Sequence, residues 1–429
     1  MVQQPTIGFA GMTHLGLVSG IAAAEKGFRV VCFDPDGGRI KELSSGALPV
    51  SEPQLDELFR KNRERLEFSA NAEALVKCDV VYVAPDVATD DSGKSDLGTI
   101  NALLTNVVGV TTERTTIVVL AQVPPGFTRS KQRLGRSLYY QVETLIFGRA
   151  VERALFPERY IVGCGDPSEA LPSAYKTFLE AHGCPILPMR YESAELAKIS
   201  INMFLVASVS ASNTLAELCE KIGADWSEIV PSLRLDKRIG PHAYLTPGLG
   251  IAGGNLERDL ATVCDFADRH HTDAGIVRAW IANSEHRKNW AAETIKSELL
   301  DENPSATVAV WGLAYKENTH SVKGSPSLLT IRNIPETNLR LHDPVVPANA
   351  AKHEHAIQAD SPIDALDRAD ALMIMTPWPL YREIAPADIA AKMRGRLVLD
   401  PYGVLNWRDA SRAGLRHITL GKTPVAKER

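Results

Sequence analysis

Short apolar runs that end in glycine or an acid alternate with stretches of helical spacing through most of this chain. The first run, residues 6–9, leads into Gly11-Met12-Thr13-His14-Leu15-Gly16 and an Ala-rich stretch to Lys26. The second, residues 29–33, ends in Asp34, and apolar runs at 79–84, 116–120 and 160–162 continue the rhythm. That alternation predicts a doubly wound α/β sheet. Residues 191–217 break it. There Leu196, Ile199, Phe204, Leu205 and Val209 recur at helical spacing with no Pro or Gly between them. The spacing predicts one long helix, apolar enough to be buried nearly all round. A helical region follows to about residue 300, and Glu302-Asn303-Pro304-Ser305 then punctuates the chain. Beyond it the strand–glycine pattern restarts, with strands expected at 306–311, 339–342, 371–375 and 396–399. Asp343-Pro344 echoes Asp34-Pro35. The pattern predicts two Rossmann-like, doubly wound α/β domains, 1–190 and 301–429, joined by a long central helix and helical region, 191–300. They are expected to face each other across that helix, with ligand at the carboxyl ends of the strands.

A length of 429 residues exceeds one ordinary core and agrees with two or three domains. Hydrophobic content of 45% and charged content of 23% are those of a soluble globular protein. A net charge of −5 supplies no basic field for nucleic acid. No apolar run is expected to approach a membrane span, and the N-terminus lacks the basic region and cleavage site of a signal peptide. The six cysteines are scattered, without a CxxC or a His cluster, which predicts reduced thiols in a cytoplasmic protein and no zinc site.

Two stretches carry chemistry. Strand, glycine turn, helix, strand and terminal acid form the dinucleotide-binding pattern, in which a helix N-terminus faces a pyrophosphate. Asp34 would accept a ribose 2′-hydroxyl, which favours NAD over NADP. Thr13 stands where the middle glycine lets backbone approach the pyrophosphate, so it should weaken NAD binding. On the long helix, Lys198 and Asn202 are four apart and share one face. Lys198 either snorkels out at the helix edge, with Asn202 bonding a loop, or moves a substrate proton while Asn202 fixes a substrate oxygen. A Gly-rich break, residues 247–255, precedes Leu256-Glu257-Arg258-Asp259 and lets backbone come close to a ligand.

These landmarks together resemble the UDP-glucose/GDP-mannose dehydrogenase family over nearly the whole chain. The segments that carry the likeness are Ser45-Gly46-Ala47-Leu48-Pro49-Val50-Ser51-Glu52-Pro53, Val123-Pro124-Pro125-Gly126, Glu195-Leu196 with Lys198 and Asn202, and Arg238-Ile239-Gly240-Pro241. Gly312-Leu313-Ala314-Tyr315-Lys316, Asn318-Thr319 and Ser325-Pro326 extend it to the last domain. The resemblance implies oxidation of a nucleotide-sugar C6 hydroxymethyl to a carboxylate with two NAD. A cysteine in the Gly-rich break traps the aldehyde, and the resulting thioester is hydrolysed. Here that position is Asn255, whose carboxamide cannot do so, and Cys264 lies elsewhere.

Other positions differ too: the family's Asn-Pro-Glu-Phe-Leu segment reads Gln141-Val142-Glu143-Thr144-Leu145, and Phe147 replaces a second acid. Gln122 stands for a threonine that holds a catalytic water, and joins Gly11, Thr13, Leu15, Gly16 and Asp34 among the expected cofactor contacts. Arg238, Gly253 and Lys316 are the expected substrate contacts, and Arg238 reaches a neighbouring subunit's site in related enzymes. What remains is Glu143, Lys198, Asn202 and Asp259, with Asp259 expected to tune the lysine. This set suits one hydride transfer on a nucleotide sugar, UDP favoured, in a homodimer. A cysteine-independent 6-dehydrogenase and a silent nucleotide-sugar-binding protein are the alternatives.

Overall fold

The computed structural model describes residues 4–88, 95–132, 136–252 and 254–424. The chain divides into two compact units, residues 1–201 and 202–429. The first holds eight strands: β1 (Thr6–Ala10), β2 (Arg29–Phe33), β3 (Leu66–Ser69), β4 (Val80–Val83), β5 (Thr116–Val119), β6 (Leu138–Gln141), β7 (Tyr160–Cys164) and β8 (Ile186–Arg190). Their order is β3-β2-β1-β4-β5-β6-β7-β8, parallel except where β6 meets β7. Helices cover both faces, so β4 (VVYV) and β5 (TIVV) are buried at every residue and read as unbroken apolar runs. Two apolar clusters fill the space on either side of this sheet.

The second unit carries β9 (Thr307–Trp311), β10 (Asn338–His342), β11 (Ala356–Gln358), β12 (Ala371–Ile374), β13 (Leu397–Leu399) and β14 (Arg416–Ile418). All pairs are parallel, in the order β11-β10-β9-β12-β13-β14. This repeats the 3-2-1-4-5-6 order of the first six strands, as the echoed sequence pattern predicts. The unpredicted strands are of two kinds. β3, β8, β11 and β14 are edge strands or lie beside one, and they are short, partly exposed or interrupted, as by Pro188 in β8. β6 is interior, but it is only four residues long and ends in Gln141, which leaves too short an apolar run to mark it.

The long helix runs from Tyr191 to Ile222, five residues past its expected end. It is not buried all round. Ala194, Ala197 and Ile201 pack in the first unit, and Met203, Val206, Ala216 and Cys219 in the second. The larger Leu196, Phe204, Leu218 and Ile222 are exposed, Phe204 at 78%. The packed face mixes small residues with Ile199, Ile201, Met203 and Val206, so size does not separate it from the exposed face. The expectation that no run approaches a membrane span also needs correction: an 18-residue window of this helix has a mean hydropathy of 1.3, enough by length and composition.

Within the second unit the end of this helix anchors the turn that follows β14. Glu220 accepts hydrogen bonds from Arg287, from Trp290 Nε1 and from the Gly421 amide at 3.1, 3.0 and 2.9 Å. Arg287 is 1% exposed, and its other carboxylate partner, Glu217, is 3.4 Å away. Glu220→Ala leaves a buried guanidinium short of its main partner, so urea unfolding should show the second unit destabilised by about 3–5 kcal/mol.

Candidate active site

The end of β1 and the start of the helix His14–Glu25 form a tight turn. Gly11 takes φ +98°, and a Cβ on Gly16 would come within 1.9 Å of the Gly11 carbonyl oxygen. Only glycine fits either position. Thr13 is the N-cap, yet its side chain caps nothing in the helix. Its Oγ1 instead accepts the Asp86 N–H at 2.7 Å, from the loop after β4. The first-turn amides are therefore not closed by that hydroxyl, and the turn keeps the form that receives a pyrophosphate. Leu15 is buried in the core, so only its backbone faces this turn.

Asp34, at the end of β2, is 3% exposed. Its carboxylate accepts the Met12 and Asp36 amides at 2.7 and 3.0 Å and pairs with Arg39 Nη1 at 2.8 Å. An ionised carboxylate has about four acceptor positions, so one remains for a ribose hydroxyl. Arg39 was missed in the sequence; a basic residue five places after the acid was the available signal. Gln122 is half-buried in the loop after β5. The cradle of Gly11, Gly16 and Asp34 fits a dinucleotide.

In the same unit Lys198 Nζ lies 3.0 Å from Glu143 Oε1, with side-chain exposures of 13% and 17%. This pairing joins two residues that the sequence put 55 positions apart without linking them. Lys198 therefore does not snorkel free: its charge has a partner inside the fold. The Glu143 Oε2 atom also accepts the Leu145 amide at 2.8 Å. A cavity of about 50 Å³ beside it is lined by residues that include Gln141, Glu143, Thr144, Arg153 and His182.

The second unit holds a polar group of its own. Asn202 is 7% exposed and donates from Nδ2 to Asp259 Oδ2. Asp259 is 1% exposed, and Arg258 Nε stands 3.5 Å from its Oδ1. Asp259 and Arg258 both rise from the helix Asn255–His270. Asn255 is its first residue and is exposed. Glu257 accepts the Gly254 amide at 3.1 Å and pairs with Lys288 at 3.0 Å, which closes the helix start. Gly254 takes φ +88° and lies against Lys323, whose Cε is 3.1 Å from where a Cβ would stand. Cys264 sits in a small apolar cluster, where burial pushes its thiol up. Gly253 lies outside the described residues. Arg238 is exposed and pairs with Asp236 at 2.7 Å, and Lys316 lies over the Tyr315 ring at 5.6 Å.

Three domain descriptions of one family match this chain in order: the NAD binding domain at residues 5–179, the central domain at 192–285 and the UDP binding domain at 309–407. A UDP-glucose 6-dehydrogenase of Pseudomonas aeruginosa is 30% identical over 417 residues, covering 91% of each chain. The chain belongs to the UDP-glucose/GDP-mannose dehydrogenase family. A UDP-glucose 6-dehydrogenase of Rickettsia bellii is 28% identical over 430 residues, 97% of this chain and 99% of that one. The solved UDP-glucose dehydrogenase of Pyrobaculum islandicum superposes with a TM-score of 0.83 at 26% identity, covering 95% of this chain and 96% of that one. A dehydrogenase structure from Pyrococcus horikoshii gives a TM-score of 0.84 at 22% identity over 98% of this chain and all of that one, which supports the fold alone. This member of the family is thus an NAD-dependent oxidoreductase with a nucleotide-sugar domain.

Calorimetry should show NAD bound at least ~10-fold more tightly than NADP, whose 2′-phosphate would meet the Asp34 carboxylate. Thr13→Gly should tighten NAD further. Equal affinity for NADP overturns the role assigned to Asp34.

Proposed function

We propose that this chain performs a single hydride transfer on a UDP-sugar hydroxyl, releasing an aldehyde or keto sugar or returning the hydride to epimerise it. The observation that carries this reading is Asn255, exposed at the first position of its helix, where the family resemblance places the thiol nucleophile. A carboxamide forms no thiohemiacetal, so the second, covalent oxidation lacks its usual route. NAD, when bound, accepts the hydride. The chain's own part is to hold the hydroxyl and take its proton. Lys198, held by Glu143, is the proton-handling group or the donor to the developing oxyanion. Asn202, on the same helix face, fixes the substrate oxygen, and Asp259 orients its carboxamide. Asn255 is a polar contact to the sugar, with Gly253, Arg238 and Lys316 as further substrate contacts.

One observation favours a second reading, the full 6-dehydrogenase. The cavity of about 50 Å³ beside Glu143 has room for water, and Gln141, Glu143, Thr144 and Arg153 place polar groups in its mostly apolar wall, from which Glu143 could direct water at an aldehyde. Incubation with NAD and a panel of UDP- and GDP-sugars distinguishes these. One NADH per sugar, or sugar conversion without net NADH, supports the single transfer. A uronic acid with two NADH overturns it, and binding without turnover points to a silent binding protein. Lys198→Ala should cost at least ~10²-fold in rate, and Asn255→Ala much less, since it removes one hydrogen bond and no covalent step.

We also propose a homodimer, in which the exposed Leu196, Phe204, Leu218 and Ile222 of the central helix are covered by a second copy. Sedimentation at micromolar concentration should give the dimer mass; a monomer there rules it out.

A further inference from the structure

The glycine turn leads into a residue whose side chain the proposed chemistry does not use. His14 opens the helix after the turn and is 8% exposed. Its Nε2 lies 2.8 Å from Glu52 Oε1. Glu52 comes from the loop before the third helix, and its side chain is fully buried. That carboxylate also accepts the Gly148 amide at 3.0 Å and the Ala150 amide at 3.1 Å. One buried acid therefore ties three segments together: the glycine turn, its own loop, and the loop after β6. A second contact follows the same line, since the Phe147 ring centroid is 4.3 Å from that of His14.

The loop tied in this way is the one that carries Glu143. Its other end is held by Arg153 Nε, which donates to the Thr144 carbonyl at 2.6 Å. Between these two anchors the chain has little freedom, and four residues upstream of Phe147 stands the Glu143–Lys198 pair. A buried carboxylate with three donors is costly to disturb, because any donor that leaves must be replaced. Movement of the first helical turn is therefore passed to Glu52 and the loop.

We infer that His14 is a positioning residue that links occupation of the glycine turn by NAD to the placement of Glu143, by way of Glu52 and Phe147. The inference rests on the reading of that turn as the NAD site. It gives the His14 side chain a purpose: the turn reports to the loop that holds the proton-handling pair. Its reach is about one coupling energy of ordinary size, which corresponds to about 5–150-fold in an equilibrium.

The test uses the full-length protein and reads backbone hydrogen exchange with and without saturating NAD, after calorimetry has established NAD binding. In the wild type, NAD should slow exchange at the Gly148 and Ala150 amides by about 5-fold or more. In His14→Ala, NAD should still bind, and that slowing should vanish. His14→Gln, which retains an N–H directed at Glu52, should restore much of it. Should His14→Ala fail to fold, Phe147→Ala removes the stacking contact from the loop side and should reduce the slowing. NAD-dependent slowing of equal size in the wild type and in a folded His14→Ala or Phe147→Ala variant overturns the inference. So does a wild type that binds NAD without any slowing at these amides. A wild type that binds no NAD overturns the cofactor reading as well, so the two failures are separable.

Discussion

The least negotiable contact in the first unit is between Gly11 and Gly16, where a single added carbon would stand 1.9 Å from a carbonyl oxygen. It sets the distance at which the helix leaves β1. The helix axis then fixes where its first amides point, where His14 meets Glu52, and where Thr13 reaches Asp86. Three loops at the carboxyl end of the sheet are thus referred to one turn. A parallel sheet cannot supply such fixation by its own ladder, since its strands end where the loops begin. The loops must be held by side chains, and here they are.

The two half-repeats show how one motif serves two ends. Asp34 and Asp343 each end the second strand of their sheet and precede a proline. Asp34 keeps an acceptor position after its three partners. Asp343 takes the Leu313, Ala314, Val345 and Val346 amides and the Trp378 indole, all within 3.1 Å. Its acceptor capacity is consumed in shaping the turn after β9. The same acid in the same place is therefore open to a ligand in one sheet and structural in the other.

The buried charges follow one rule. Each described one treated above has a partner within its own unit: Lys198 with Glu143, Arg258 with Asp259, Arg287 with Glu220. Removing a charge from water is repaid only by such pairing.

Periodicity alone determined the central parallel strands of the two sheets, because strands covered on both faces must be apolar throughout and their glycine turns punctuate them. It also located the long helix and the Lys198–Asn202 face, since spacing of four is a property of the helix itself. It overestimated that helix's burial, because apolarity shows which residues avoid water and not which of them find a neighbour in the same chain; Phe204 does not. Composition left edge strands such as β8 unmarked, as a half-exposed strand needs no apolar run. Only the tertiary structure brought Glu143 to Lys198, Glu52 to His14 and Thr13 to Asp86. Those contacts span 38 to 73 residues, and nothing local distinguishes an acid that will meet a base from one that will meet water.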